Sequence, residues 1–223
     1  MDRNLVCSLA LFLLAAGPVF AHDFITTKLT WNREISRMVY KRCAGCHREG
    51  GTAMSLVTYD EARPWAKAIR DQVVARAMPP WGAVKGVGSF QQDPSLTEVE
   101  IQMIVAWVEG GAPKGDEAAV PYKPPVAAKP LRTVSNKIQT VSRELTLDKP
   151  LLLAGVRPEA LGDGRSMFVD AFYPDGRVEH LIWLRNYQNS WTRDYLYRQP
   201  LKLPVGTVIR IKSPGPAKLQ LLY

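Results

Sequence analysis

Cys43-Ala44-Gly45-Cys46-His47 is the stretch from which the fold of the N-terminal half follows. Two thiols three positions apart, followed at once by an imidazole, have the spacing that fixes a c-type haem covalently. Each thiol adds across one haem vinyl group to give a thioether. The one-turn spacing lets both reach the same porphyrin edge, and His47 is drawn beneath the iron as axial ligand. One covalent haem c is the expected cofactor, with Cys43 and Cys46 as its attachment points.

The residues around the motif are patterned as helices. Upstream, Ile35, Met38 and Val39 recur at helical spacing between Trp31 and Arg42, so a helix delivers Cys43. Thr58-Tyr59-Asp60-Glu61 is a capping-box pattern, and Trp65, Ala68, Ile69, Val73 and Ala77 continue a helix that Pro64 kinks or restarts. Thr97 with Glu100 caps a third helix, which carries Ile101, Ile104, Val105 and Val108 and stops at Gly110-Gly111. Three helices around one haem make a small all-α cytochrome c domain. Its sixth iron ligand is sought among His22, His180, Met38, Met54, Met78, Met103 and Met167. Met38 lies on the helix that delivers the motif, Met54 is seven residues past His47, and Met103 sits inside a helix whose core it can fill. Met78 ends the second helix and opens Met78-Pro79-Pro80-Trp81, where consecutive prolines hold an extended loop that can aim the thioether at the iron. His47 and Met78 are thus the expected axial pair, a set that raises the potential and leaves no open coordination site.

From Cys43 to Asp116, the segments CAGCHREGG, TYDEARPWAKAIRDQV, ARAMPPW, SLT and AWVEGGAPKGD resemble the monohaem cytochrome c domains that bacteria attach to exported redox proteins. The likeness covers about a third of the chain. It implies a class I type cytochrome c fold, the same four haem-binding residues, and Trp65, Trp81 and Trp107 packed around the porphyrin.

Residues 112–130 hold prolines at 113, 121, 124, 125 and 130 among alanines and lysines, and read as a stiff, extended linker. Beyond it the period changes to alternation. Residues 166–173 and 177–184, joined at Pro174-Asp175-Gly176, form a hairpin pattern, with further strands at 137–141, 150–156, 194–198, 205–212 and 218–222. The expected architecture is therefore α then β: signal peptide 1–21, haem domain 22–111, linker 112–130, and an antiparallel, jelly-roll-like β-sandwich over 131–223. Gly155-Val156-Arg157-Pro158, Gly164-Arg165-Ser166-Met167, Tyr173-Pro174-Asp175-Gly176-Arg177, Asn186-Tyr187 with Trp191, and residues 200–207 resemble the C-terminal jelly-roll of copper type II ascorbate-dependent monooxygenases. Where that family has a His-x-His copper pair, this chain has Glu159-Ala160-Leu161, and no histidine lies between 48 and 179. Copper in such a site depends on imidazole nitrogen, so a scaffold without copper is expected.

Arg3, the apolar run from Leu5 to Ala16 and Val19-Phe20-Ala21 read as a secretory signal cleaved after Ala21, or retained as an anchor in the alternative. Cys7 leaves with it, and the remaining thiol pair in an exported chain suits covalent haem. The product is expected in the periplasm or otherwise exported, without an integral membrane span once the signal is removed. Residues 22–118 hold 12 Lys+Arg and 12 Asp+Glu, so the formal net charge of +8 resides in the second half. Such a basic half favours an acidic redox partner protein or an anionic membrane surface, and export argues against nucleic acid.

These features together point to an electron carrier and not an enzyme, with the sandwich serving for docking. The runner-up is an accessory haem subunit of a larger oxidoreductase. A haem peroxidase would need an open iron site and a distal acid-base group. A copper oxygenase would have to draw on His22 and the distant His180, and a thiol-disulfide pair would leave His47 without a role.

Overall fold

Among the described residues three helices form the N-terminal half, and two four-stranded antiparallel sheets packed as a sandwich form the C-terminal half. The computed structural model describes residues 27–119 and 137–223. The expected signal 1–21 with Cys7, His22, and residues 120–136, which hold most of the expected linker and the start of the expected second domain, lie outside the described residues. Among the described residues no helix is long and apolar enough to cross a membrane.

Helix α1 begins as a π-helical turn, Trp31–Ile35, and continues as Ser36–Arg42. Helix α2 runs Tyr59–Ala62, tightens to a 3-10 turn at Arg63–Trp65 where Pro64 falls, and resumes as Ala66–Val74. Helix α3 is Glu98–Glu109. Both capping boxes are formed: the Thr58 and Thr97 hydroxyls accept the N–H of Glu61 and Glu100, whose carboxylates accept the threonine N–H groups in return. The core joins Trp31, Ile35, Met38 and Val39 of α1 to Ala62, Ala66 and Val73 of α2 and Ile101, Ile104 and Trp107 of α3. Trp65 and Ala68, expected on the packed face of α2, point outward, because the 3-10 turn at Pro64 rotates the face that follows it.

Residues 112–116, the described start of the expected linker, contact α1. The first N–H groups of a helix have no intrahelical partner, and in α1 those of Trp31 and Asn32 donate to the carbonyls of Pro113 and Lys114, each at 3.0 Å. The Asn32 amide donates to the Asp116 carbonyl at 2.8 Å, and the Trp107 indole to that of Pro113 at 3.0 Å. Residues 112–116 therefore complete the helical unit. Proline content signalled the loss of helix correctly, but carbonyl groups on an irregular segment cap α1 just as well as any side chain.

The sandwich has eight strands: β1 Ile138–Val141, β2 Glu144–Thr146, β3 Leu151–Glu159, β4 Arg165–Phe172, β5 Val178–Tyr187, β6 Tyr195–Leu203, β7 Val208–Lys212 and β8 Lys218–Leu222. Their order is β1-β8-β3-β6 in one sheet and β2-β7-β4-β5 in the other. All connections but the β4–β5 hairpin cross from sheet to sheet, which is jelly-roll topology. In that hairpin the N–H of Tyr173 donates to the Arg177 carbonyl at 2.8 Å, and Gly176 takes the positive φ of 88° that the turn needs. Alternation supplies the core: Ile209 and Ile211 point inward from β7 while Arg210 and Lys212 point out.

The two halves are interlocked. Strands β5 and β6 each lie at one edge of their sheet, and the segment between α2 and α3 lies across both. The Arg185 N–H donates to the Gly82 carbonyl at 3.0 Å, and the Val84 N–H to that of Trp183 at 2.8 Å. On β6, the N–H of Arg198 donates to the Ser89 carbonyl at 2.8 Å and that of Gln91 to the Leu196 carbonyl at 2.7 Å. Trp81, Ala83 and Phe90 are buried in the sandwich core, beside Tyr195 and Tyr197. This strap closes the open side of the sandwich and pairs backbone groups that would otherwise be exposed edges.

Candidate functional site

Helix α1 ends at Arg42, and its last turn runs directly into the motif: the Cys43 and Ala44 N–H groups both donate to the Val39 carbonyl, at 2.8 and 2.9 Å. The Cys43 carbonyl then accepts from Cys46 N–H at 3.0 Å and His47 N–H at 2.9 Å, so the motif is a closed turn. Arg42 fixes that turn to α3. Its guanidinium donates to Glu100 through Nε to Oε1 at 3.1 Å and Nη2 to Oε1 and Oε2 at 2.9 and 3.0 Å. Burial alone would raise the Glu100 pKa, but the Thr97 N–H and the Arg42 guanidinium outweigh it and hold the carboxyl below its ordinary value.

Both thiols are unbridged, Cys43 partly buried and Cys46 exposed. Burial pushes the Cys43 thiol up to about 12. A thiol-disulfide oxidoreductase needs a depressed thiol pKa at its attacking cysteine, the opposite of the direction at Cys43.

His47 carries the most informative contact. Its Nδ1 lies 2.9 Å from the Met54 carbonyl oxygen. That oxygen can only accept, so Nδ1 carries a proton, and in the neutral ring Nε2 is then the nitrogen with the lone pair that binds a metal. A carbonyl behind a ligating imidazole is the usual device for fixing its tautomer and raising its basicity.

The methionines sort by burial. Met38 is in the helical core, Met103 packs against it, and Met167 is fully buried in the sandwich. Met54 is exposed, but its own carbonyl stands on the Nδ1 side of His47, away from the edge that would bind iron. Met78 follows α2, its side chain 41 % exposed, beside an open cleft of about 470 Å³. That cleft lies between the helical unit, through Val73, Leu96 and Ile101, and strand β5, through Trp183 and Arg185. Trp65, Val74 and Met54 are further large apolar side chains left exposed in this half. Unpaired thiols at one-turn spacing and an imidazole whose Nδ1 is held by a carbonyl fit a covalently held haem, whereas the cleft beside Met78 is lined by none of Cys43, Cys46 and His47.

The tryptophans do not share one environment. Trp107 packs against Trp31 in the helical core, with ring centroids 6.0 Å apart, and Trp65 is half exposed. Trp81 belongs to the sandwich, its ring 4.8 Å from that of Tyr195 and 6.2 Å from that of Phe90, with the Arg193 guanidinium 5.4 Å above it. The Tyr195 hydroxyl donates to the Trp81 carbonyl. This aromatic cluster, absent from the sequence reading, was signalled only by two large rings, Trp81 and Phe90, in a glycine-rich stretch with no helical face to serve.

In the sandwich, Leu161 is buried in the core and Glu159 is exposed at the end of β3. His180 stands on β5, with Nδ1 2.6 Å from the buried Asp170 carboxylate, which also accepts from Lys212 at 3.1 Å. No group of three or more metal-ligating His, Cys, Asp or Glu side chains occurs among the described residues. Comparison of the chain with protein-family models, with curated proteins and with solved structures gives no match.

Proposed function

We propose that the chain is an exported c-type cytochrome that carries single electrons between partners, with Cys43 and Cys46 holding one haem c and His47 and Met78 as its axial ligands. The observation that carries this reading is the bond from His47 Nδ1–H to the Met54 carbonyl, on an imidazole set directly after two unpaired thiols. When bound, haem c supplies an iron that alternates between the ferric and ferrous states.

The protein's share of the work is positional. His47 presents Nε2 in one tautomer, and the closed turn from Cys43 to His47 keeps both sulfurs and the imidazole on one short stretch of backbone. Met78 offers a soft, weak donor that favours the reduced state more than a second imidazole would, and its occupancy leaves no site for a substrate. Export to the periplasm follows from the N-terminal pattern, and the basic second half suits an acidic redox partner.

The test is the optical spectrum of the full chain produced with a haem-attachment system, oxidised and reduced, alongside Met78→Ala. A c-type reduced spectrum, with a sulfur-to-iron charge-transfer band that disappears in the variant, is the expected result. A high-spin spectrum that the substitution leaves unchanged would sink the His/Met assignment and bring the peroxidase-like reading forward.

A further inference from the structure

We propose that the β-sandwich positions the sixth iron ligand: Tyr195, together with Phe90 and Arg193, anchors Trp81 and thereby holds the Met78 loop in place. The inference rests on the His/Met reading and assigns the second half a role in the haem site itself, beyond docking.

The loop is clamped at both ends. On the helical side, the N–H groups of Ala77 and Met78 donate to the Gln72 carbonyl at 2.9 and 3.3 Å. On the other side, three residues on, Trp81 is buried in the sandwich core, and its carbonyl accepts from the Tyr195 hydroxyl. Gly82 continues the grip, its carbonyl taking the Arg185 N–H while its positive φ of 77° lets the backbone pass close to the rings of Tyr187 and Trp191. Between the clamps lie Pro79 and Pro80, whose rings lock φ and leave little freedom to absorb a shift. Met78 itself is 41 % exposed, so packing around its own side chain does not hold it. A thioether is a weak donor, and its bond to iron persists when the loop pays little entropy on binding. Preorganisation therefore comes from the sandwich.

Tyr195 and Arg193 are positioning residues, and ligand competition measures their effect. Imidazole displaces methionine from iron, so its apparent affinity reports how firmly the loop is held. In the full-length, haem-loaded oxidised protein, Tyr195→Phe is expected to bind imidazole about tenfold more tightly than wild type, the equivalent of about 1.4 kcal/mol. Arg193→Ala is expected to gain about threefold. Arg210→Ala, on β7 and remote from the strap, serves as the control and should not move. Affinities for both variants within twofold of wild type, or an equal gain in the control, would overturn the proposal. Far-ultraviolet circular dichroism checks the fold, and if Tyr195→Phe fails to fold, the partly exposed Arg193 decides alone. Failure of the underlying reading looks different: wild type would lack the sulfur-to-iron band and would bind imidazole as Met78→Ala does.

Discussion

Glu100→Gln tests how the motif is tied to the rest of the helical unit. Arg42 and Glu100 are only 9 % and 16 % exposed, and they share three N–H···O bonds between 2.9 and 3.1 Å. Glutamine keeps the capping role, since its amide oxygen can still accept the Thr97 N–H, but it leaves the guanidinium without a counter-charge. Breaking a buried pair by removing one partner costs about 3–5 kcal/mol. The lower end applies here, because Arg42 Nη1 keeps the Asp93 carbonyl at 3.3 Å. Taken as one unfolding unit, the protein loses about 2–4 °C of Tm per kcal/mol, so a fall of about 6–12 °C is expected at pH 7. The pH dependence has a definite sign. The Glu100 carboxyl is held below its ordinary value of 4.5, so the pair's stabilisation is complete above that pH and is lost as pH falls through the lower folded value. The gap between wild type and variant should therefore narrow below about pH 4. Thermal melts followed by circular dichroism from pH 7 to pH 3 measure both quantities. A loss under about 1 kcal/mol, the level of an exposed pair, or a gap that stays constant down to pH 3, would refute the reasoning.

Phe90→Ala should cost about 3–5 kcal/mol and lower the helical and sheet signals in a single transition, because Phe90 lies in a strap whose two ends belong to α2 and α3. Two separated transitions, only the sheet one shifted, would contradict the interlock. In chain produced without haem attachment, a thiol reagent at pH 8 should label the exposed Cys46 well before Cys43, whose buried thiol is pushed up to about 12; mass spectrometry of peptides reads the order, and equal rates would count against the described packing of Cys43.

What the sequence disclosed was the local chemistry. Thr58 with Glu61 and Thr97 with Glu100 announce helix starts because the capping partners are three residues apart, and Pro174-Asp175-Gly176 announces a hairpin because the turn's φ demands are met within it. The alternation of β7 and β8 is legible for the same reason. Strand β2 was missed, since Glu144-Leu145-Thr146 is too short to show a period. The motif at Cys43 is legible as a pattern of residues, yet the contact that orients the His47 ring is not. Its acceptor is the Met54 backbone carbonyl, and a carbonyl leaves no trace in residue identity.

The strap is the harder case, and it changes how the two halves are to be understood. Residues 82–91 carry three glycines and no alternation, so they read as loop, and their partners Leu184 and Tyr197 are about a hundred residues away. Pairing at that separation depends on which sheet edges are left open, a property of the assembled jelly-roll and not of either segment. Once assembled, the dependence runs both ways. Without the sandwich, Trp81, Ala83 and Phe90 have no core to enter. Without the strap, Tyr195 and Tyr197 lose the rings they pack on, and the edges of β5 and β6 lose backbone partners. A boundary drawn at the proline-rich stretch follows the order of elements along the chain, while the strap ties the two halves together through hydrogen bonds and buried rings. Both halves thus share one packed structure through the strap.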